Sequence, residues 1–427
     1  MVNTAVTTGM GFIFWMVVAR YYTEYEVGIA AAIIAAISML SLISSLGMNV
    51  ALVRFLAKAK EPAKMINSCF TISGILALAV TGIFLAGLDL WSPATSFVRD
   101  NIRFLLAFIL FTICWPLSGL MTSVFIAKRR AEFVLVQSAI FSLLKIPLPI
   151  LLVLFFHAFG IVGSWGLAAV VAFVIALFLF LPRVQESYRP VPTLDLSIIK
   201  GIWKYSAGNY FVSIFSAAPV FLLPIIIVNV MSAEQNAYFY VAWMIAGLVQ
   251  AIPLAVSASL FAEGSHSEEA LGANARRSFR FIILLLVPAI ILLVALGKWL
   301  LLLFGENYSS NGLTLLWILG ASGIFIAVND VYYSILRVRG RIRELFFIRA
   351  LISIAVIIAS SLIAPKIGIV GIGYAWISAQ AVASIYVLLT VGVRYRAMKS
   401  RRSDSGRERE YRYSKSLGLP WSIYASE

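Results

Sequence analysis

Long apolar runs separated by short polar breaks fill almost the whole chain. The runs are about 20 residues long, the length that carries a helix across roughly 30 Å of hydrocarbon. We expect helices, because a helix satisfies its own backbone hydrogen bonds where water is absent. The pattern predicts twelve membrane spans, at 4–20, 27–53, 65–88, 104–127, 134–157, 161–182, 206–231, 237–262, 279–303, 313–336, 345–365 and 369–393.

Short features recur at matching places in the two halves of this pattern. The sequence Gly-Ile-Val-Gly opens the sixth span at 160–163 and the twelfth at 368–371. Segments 23–29 and 232–238 both follow the first span of their half, and basic hairpins correspond at 128–132 and 339–344. Apolar segments can resemble one another by composition alone, but near-constant spacing favours an internal repeat, which is a recurring plan of secondary transporters.

The predicted fold is therefore an all-α polytopic membrane protein with about twelve helices in two six-helix repeats. We expect a first bundle at 1–183, a cytoplasmic linker at 184–205, a second bundle at 206–393 and a basic tail at 394–427. Prolines within the spans, such as Pro147 and Pro149, each remove a backbone donor and predict kinked helices.

Composition supports the membrane assignment. The chain is 61% hydrophobic and 12% charged, and its mean hydropathy is +0.95. A water-soluble core of 427 residues cannot bury that much apolar surface.

Basic residues predict the orientation. Most of the 34 Lys and Arg residues lie in the loops on one side and in the tail, and the positive-inside rule places that side and both termini in the cytoplasm. We expect the cytoplasmic membrane as the location and anionic lipid headgroups as partners of the tail. The net charge of +15 is dispersed over these loops, so no nucleic-acid partner is predicted. The other side carries only Arg20, Arg99, Arg103, Lys298 and Lys366.

Cysteine and histidine are scarce in the sequence, which argues against metal sites and disulfides. Cys69 and Cys114 fall inside apolar spans, and His157 and His266 lie on different sides, so neither a metal site nor a disulfide is predicted. The loops carry no phosphate-binding Gly-rich motif and no paired carboxylates, which argues against a nucleotide-driven pump and against an enzyme.

Charged residues inside the spans are the candidate functional groups. Lys145 lies near the predicted bilayer centre, where an ammonium costs about 2.5–3.5 kcal/mol and should face a cavity or a partner. A structural ion pair with Asp330 is the alternative for Lys145. Asp330 and Arg349 lie at similar depth on neighbouring spans, so they are either a salt bridge or a coupling-ion site.

Further polar residues are candidates for cargo binding, and each also has a structural explanation. Arg20 and Arg54 close the first two spans at opposite sides, either as interfacial anchors or as cations that attract an anionic headgroup. Amides within the spans supply hydrogen bonds either to a polar cargo or between helices: Asn49, Gln137, Asn209, Asn229, Gln250 and Gln380.

Three motifs carry a resemblance to a known family: RYYTEYEVG at 20–28, SLGMNVALVRFL at 45–56 and FGENY at 304–308. Together with twelve duplicated spans, they resemble the Wzx-type polysaccharide and oligosaccharide-lipid flippases of the multidrug/oligosaccharidyl-lipid/polysaccharide (MOP) superfamily. The resemblance covers the membrane part and ends at the basic tail.

The resemblance implies two six-helix bundles around a central cavity that turn a polyprenyl-linked glycan to the outer leaflet by alternating access. It implies headgroup binding by Arg20, Arg54 and Lys145; Arg20 and Arg54 match positions where these proteins commonly carry arginine, whereas Lys145 and Asp330 are not fixed features. It implies no cofactor, an H⁺ or Na⁺ gradient as a candidate driving force and glycan-assembly enzymes as candidate partners. The alternatives are a flippase for the peptidoglycan precursor, a MATE-like multidrug or small-molecule antiporter and, less favoured, a membrane glycosyltransferase or polymerase.

Overall fold

Twelve long helices make up most of the computed structural model, which describes residues 2–186, 188–265 and 271–391. Eleven of them are long and apolar enough to cross a membrane, and the first, with 20 residues, is about 30 Å long. The described residues contain no strand. We number the helices α1 (Val2–Tyr21), α2 (Glu24–Ser45), α3 (Pro62–Ala86), α4 (Ile102–Ala127), α5 (Ala131–Val153), α6 (Phe156–Val184), α7 (Leu196–Val230), α8 (Ala233–Gly264), α9 (Leu271–Leu302), α10 (Glu306–Val338), α11 (Ile342–Ile367) and α12 (Ile369–Val391).

The recurring segments at 23–29 and 232–238 perform the same task in each half. The hydroxyl of Thr23 accepts a hydrogen bond from the backbone N–H of Glu26 and caps α2. The hydroxyl of Ser232 accepts from the N–H of Gln235 and caps α8. Because each cap satisfies a donor that the helix leaves free, these residues fix where the second helix of each half begins.

The predicted second span, 27–53, is two helices rather than one. Leu46 and Gly47 adopt left-handed backbone conformations, with φ of 44° and 72°. The chain turns there and continues as a short helix, Met48–Phe55. Glycine is favoured at position 47 for two reasons. A Cβ would lie 3.2 Å from the side chains of Ser206 and Tyr210, and the positive φ would strain a residue that has a side chain.

The connection between the halves is shorter than the predicted linker, 184–205. The carboxylate of Asp195 accepts from the backbone N–H of Ser197 and caps α7, so α7 begins at Leu196 and not near 206. The rest of the connection is tied to α3. The N–H of Thr193 donates to the hydroxyl of Thr71 at 3.0 Å.

A second tie joins the connection to α3 one turn away. The amide of Asn67 donates to the carbonyl of Arg189 at 3.0 Å, and its oxygen accepts from the hydroxyl of Tyr188 at 2.6 Å. Burial raises the pKa of Tyr188 from 10.0 to about 12, so this hydroxyl remains a donor well above neutral pH. We call Asn67, Thr71, Tyr188 and Thr193 the linker latch.

Two membrane helices are broken. Within α5, a first segment ends at Lys145, and the chain resumes as a helix at Leu148 after Pro147, as the prolines predicted. The carbonyl of Pro149 accepts a hydrogen bond from the hydroxyl of Tyr22 at 2.7 Å. In α10 the break falls at Ser322, with no proline, so sequence did not predict it.

Helix direction separates the loops into two groups. The end that we call the basic end carries the connections after α2, α4, α6 and α10, with Arg54 and Lys128 among its cations. The other end, the opposite end, carries the connections after α1, α3, α5, α7, α9 and α11, with Arg20 and Arg99. His266 and the basic tail at 394–427 lie outside the described residues.

Candidate functional site

A cavity of about 690 Å³ lies among α1, α2, α4, α5 and α6 and is bordered on one side by α7. Its wall is rich in hydroxyl groups and carries two amides, and none of its lining side chains is charged. The hydroxyl and amide side chains are Thr7, Ser38, Ser41, Ser45, Asn49, Ser118, Thr122, Gln137, Ser138 and Ser213.

Aromatic rings form another part of the wall. Trp115 of α4 and Phe141 of α5 face the cavity with ring centroids 5.6 Å apart, and Phe221 of α7 lines it from the second half. Trp165 supports Trp115 from behind at 4.3 Å. The cavity therefore combines hydrogen-bonding groups with flat apolar surfaces.

The cavity occupies the part of the bundle from the middle to the basic end. Its α4 residues, 115–122, lie in the half of that helix that ends at the basic end at Ala127. Its α5 residues, 137–141, lie in the half that begins at the basic end at Ala131. Thr7 lies early in α1, again nearer the basic end.

Gln137 is a buried amide whose hydrogen bonding is incomplete. Its side chain is 4% exposed, and its Nε2 donates to the hydroxyl of Ser118 at 2.8 Å. Its Oε1 has no hydrogen-bond partner among the described residues. A buried acceptor without a partner costs free energy, so this oxygen is free to accept from a bound molecule.

Lys145 is a buried cation surrounded by rings. It is 6% exposed, and its Nζ lies 4.7 Å from the centroid of Phe141 and 5.5 Å from that of Phe14. It also ends the first segment of α5, where the helix dipole favours positive charge. Cation–π contacts and the dipole account for an ammonium at this depth.

The alternative partner of Lys145, Asp330, is instead paired in the second half. A guanidinium nitrogen of Arg349 donates to Asp330 at 3.2 Å, and the guanidinium lies 4.1 Å from the ring centroid of Tyr333. Of the two interpretations of Asp330 and Arg349, a salt bridge or a coupling-ion site, the salt bridge is present. It joins α10 to α11 and lies outside the cavity wall.

The candidate amides fall into two groups. Asn49 and Gln137 line the cavity, and Asn209 is half-buried on α7, one turn before Ser213 of the wall. Amides of the second half join helices to each other. Gln250 donates to the carbonyl of Leu319 at 3.0 Å, and Gln380 accepts from Asn329 at 2.9 Å.

The three candidate headgroup cations are not gathered in one place. Arg54 is exposed at the basic end, on the short helix that carries Asn49. Arg20 is exposed at the opposite end, where its guanidinium donates to the carbonyls of Leu302 and Leu303, both at 2.9 Å. Lys145 lies between these two depths.

Contacts at the opposite end hold the two halves together. Besides Arg20, the amide of Asn307 donates to Glu24 at 2.9 Å, and the amide of Asn236 donates to the carbonyl of Gly28 at 2.7 Å. We call Arg20, Glu24, Gly28, Asn236 and Asn307 the opposite-end gate. Deeper in the bundle, Trp15 and Tyr240 pack with ring centroids 4.6 Å apart, so these contacts lie between the cavity and the opposite end.

At the basic end, a hydrogen bond joins α2 of the first half to α7 of the second half. The hydroxyl of Tyr210 donates to the carbonyl of Ile43 at 2.7 Å.

Within the described ranges, no cluster of His, Cys, Asp or Glu has the composition of a metal site. The amides and cations were predicted from the sequence, and the serines were not. Ser38, Ser41 and Ser45 recur at helical spacing on α2, a signal that could have found this wall.

Comparison with known proteins identifies the family. A profile of the family described as "Polysaccharide biosynthesis protein" matches residues 1–261. No curated protein sequence matches.

Solved structures share the fold at low sequence identity. The lipid II flippase MurJ in an inward closed conformation is 14% identical, with a TM-score of 0.72 over 92% of this chain and 87% of that chain. An inward-facing MATE multidrug resistance transporter of the MOP superfamily is 15% identical, with a TM-score of 0.67 over 92% and 96%. A MOP superfamily transporter from Pyrococcus furiosus is 16% identical, with a TM-score of 0.61 over 93% and 94%.

These neighbours are transporters and a flippase, not enzymes, and they confirm the polytopic all-α fold that the sequence predicted. The family match and the shared fold confirm the resemblance read from the three motifs. This chain belongs to the polysaccharide biosynthesis protein family and has the fold of the MOP superfamily of transporters and flippases.

Proposed function

We propose that the protein is a flippase that moves a lipid-linked oligosaccharide or polysaccharide precursor across the cytoplasmic membrane by alternating access. The observation that carries this proposal is the uncharged cavity wall of hydroxyls, amides and aromatic rings. Sugar hydroxyls need many donors and acceptors, and the apolar faces of sugar rings pack on aromatic side chains. A cavity of about 690 Å³ lies in the usual range for small-molecule sites.

The position of the cavity supports loading from the basic end. The opposite-end gate separates the cavity from the other side, and the positive-inside rule makes the basic end cytoplasmic. In this state a glycan headgroup enters from the cytoplasm while its lipid tail stays in the bilayer. Opening of the gate, with rocking of residues 1–183 against residues 206–393, then exposes the cargo to the outer side.

The three cations serve the headgroup in turn in this proposal. Arg54 lies at the cytoplasmic mouth and attracts the phosphate, and Lys145 meets it at mid-depth. Arg20 becomes more available when the gate opens, because its Nε and one of its Nη atoms now donate to the carbonyls of Leu303 and Leu302. The basic tail at 394–427 holds anionic lipid headgroups, and glycan-assembly enzymes deliver the cargo.

A MATE-like multidrug antiporter is the second candidate, because inward- and outward-facing MATE transporters share the fold. Export of cationic drugs requires carboxylates in the cavity, however, and its lining carries none. The carboxylate of Asp330 lies outside the cavity wall and forms an ion pair with Arg349. Coupling to an H⁺ or Na⁺ gradient belongs to either candidate.

The test follows lipid-linked glycan by leaflet in cells depleted of the protein and supplied with variants. Trp115→Ala should leave the glycan in the cytoplasmic leaflet, since it removes the aromatic wall. Trp299→Ala is the matched control, because Trp299 is 63% exposed on α9 and is not part of the cavity wall. Unchanged glycan distribution on depletion, together with loss of efflux of a cationic dye, would transfer the assignment to drug export.

A further inference from the structure

Asn229, in the last turn of α7, binds a loop of the first half. Its Oδ1 accepts a hydrogen bond from the backbone N–H of Ala94 at 3.1 Å. Its Nδ2 donates to the carbonyl of Ile225 within α7 at 2.6 Å, which orients the amide. The same nitrogen lies 3.4 Å from the hydroxyl oxygen of Ser92 and 3.5 Å from the carbonyl oxygen of Trp91. The amide therefore ties the second half to the connection between α3 and α4.

The loop that Asn229 binds is held firmly to the first half. We call residues 91–95 the strap. The hydroxyl of Thr95 lies 2.8 Å from the hydroxyl and 3.0 Å from the carbonyl of Ser92, and both residues are buried. The indole of Trp91 donates to the carbonyl of Phe84 on α3 at 2.9 Å. The strap is thus a braced turn that moves with the first half, whereas Asn229 moves with the second.

The contact has an equivalent in the opposite-end gate. Arg20 lies in the last turn of α1, the first helix of its half, and donates to the carbonyl of Leu303 in the second half. Asn229 lies in the last turn of α7, the first helix of its half, and accepts from Ala94 in the first half. Asn229 follows Arg20 by 209 residues, and Leu303 follows Ala94 by the same 209 residues. The internal repeat therefore makes the same contact twice, with the halves exchanged.

Both contacts lie between the cavity and the opposite end. Phe221 of α7 lines the cavity, and Asn229 lies about 12 Å further along the same helix. Equivalent contacts of a two-fold repeat lie on opposite sides of its axis. The contact of Arg20 and that of Asn229 therefore flank the route from the cavity to the opposite end.

We propose that Asn229 and the strap form a second lock on the opposite end, and that this lock and the lock of Arg20 must both part before cargo leaves the cavity. A strap that stayed bound would leave the halves able only to pivot about it, with one side of the route still closed. The second lock is the weaker one, because an amide makes bonds without the charge assistance that a guanidinium provides. This inference rests on the alternating access of the proposed function.

The test measures how fast a thiol in the cavity reacts with an impermeant reagent. Ser38→Cys places the thiol in the wall, in the full chain without Cys69 and Cys114, in sealed vesicles whose outer surface presents the opposite end. We expect Asn229→Ala to raise the labelling rate about threefold, and Arg20→Gln about fivefold, the range of an ordinary hydrogen bond. The double variant should reach about fifteenfold, because independent contributions multiply.

Two controls separate unlocking from general loosening. Asn311→Ala removes an exposed amide at the same end whose hydrogen bonds stay within α10, and it should label at the wild-type rate. In vesicles of the reverse orientation, the reagent reaches the thiol through the basic end. Labelling from that side should be the same in Asn229→Ala and in wild type.

A disulfide tests the strap without removing a contact. Ala94→Cys and Asn229→Cys, oxidised to a disulfide in the reporter chain, should stop labelling of position 38 from the opposite end. Reduction should restore it. The mass of the peptide that carries position 38 gives the readout. If the strap were a hinge, the linked protein would still be labelled.

Three results would each overturn the second lock: a wild-type labelling rate in Asn229→Ala, continued labelling of the linked protein, or an equal rise from both ends. Labelling requires opening but no cargo, so these results stand apart from the leaflet assay. A linked protein that resists labelling, in a chain that moves no lipid-linked glycan, would keep the lock and reject the flippase.

Discussion

The side-chain amide of Asn236 donates to the backbone carbonyl of Gly28 at 2.7 Å, which joins the first turns of α2 and α8 across the two halves. The approach is close enough to exclude any side chain at Gly28. A Cβ there would lie 1.7 Å from the carbonyl oxygen of Ala233. Because that neighbour is backbone, it cannot swing aside.

Gly28→Ala should therefore force α2 and α8 apart and destabilise the protein by roughly 1–3 kcal/mol, the usual cost of overpacking. Thermal unfolding of the purified protein in detergent measures this. Gly82→Ala on α3 is the control, because nothing lies within 4 Å of its Cβ position. The control should be neutral or stabilise the helix by up to about 1 kcal/mol; similar loss in both variants would contradict the close approach.

Removal of the arginine at the gate should favour the open state. Arg20→Gln loses the charge-assisted bonds to the carbonyls of Leu302 and Leu303. A loss of about 1 kcal/mol raises the open population about fivefold. A Ser38→Cys reporter in a background without Cys69 and Cys114 measures this, through the labelling rate with an impermeant thiol reagent added at the opposite end.

The matched control for that reporter is Arg103→Gln, which removes an exposed cation at the same end without touching the gate. Labelling should stay at the wild-type rate in the control. Equal rates in both variants and in wild type would mean that Arg20 does not hold the gate closed.

The ion pair between Asp330 and Arg349 should be required for stability but not for transport. Arg349→Met leaves a buried carboxylate without its partner, which costs about 3 kcal/mol. The double variant with Asp330→Asn should recover most of this loss. Unfolding temperatures measure the cycle, with the exposed Lys366→Met as control. A double variant that is stable yet transports nothing would instead assign coupling to Asp330.

The linker latch should weaken at high pH. The pKa of Tyr188 is raised from 10.0 to about 12 by burial, so the folded protein binds this proton more tightly than the unfolded chain. Its contribution to stability is complete below about pH 10 and is lost as the pH rises toward 12. Stability against pH should lose this step in Tyr188→Phe.

At neutral pH, Tyr188→Phe should cost about 1 kcal/mol, because Asn67 loses its donor. Tyr374→Phe is the control, since Tyr374 is 50% exposed on α12. An unchanged pH profile in Tyr188→Phe would show that the latch does not titrate.

Local signals made much of the fold predictable. Hydrophobic run length predicted the long helices, and Pro147 predicted the break in α5. The predicted second and eighth spans began at 27 and 237, whereas the caps Thr23 and Ser232 start α2 and α8 three and four residues earlier, at Glu24 and Ala233. The break at Ser322 was not predictable, because it depends on partners distant in sequence. Its hydroxyl accepts from the indole of Trp376 at 3.2 Å, a contact that exists only after α10 and α12 pack.

The site was less predictable than the fold for the same reason. A cation in an apolar span is conspicuous, so Lys145 was found, but its neighbours Phe14 and Phe141 look like ordinary core residues in a sequence. The serines of α2 were not found, because whether they face α7 depends on packing between the two halves. The bonds of Arg20 to the end of α9 could not be predicted, because they cannot be inferred from its own segment.

Among the described residues of the first half, Lys145 is the one charged side chain that is buried, so movement of this half should respond to voltage. A charge that crosses the whole membrane potential exchanges about 2.3 kcal/mol per 100 mV with the field. Any rearrangement that shifts Lys145 along the membrane normal would therefore run faster at one polarity than at the other. Asp330 and Arg349 form a pair without net charge. The same displacement of this pair would therefore exchange almost no energy with the membrane potential.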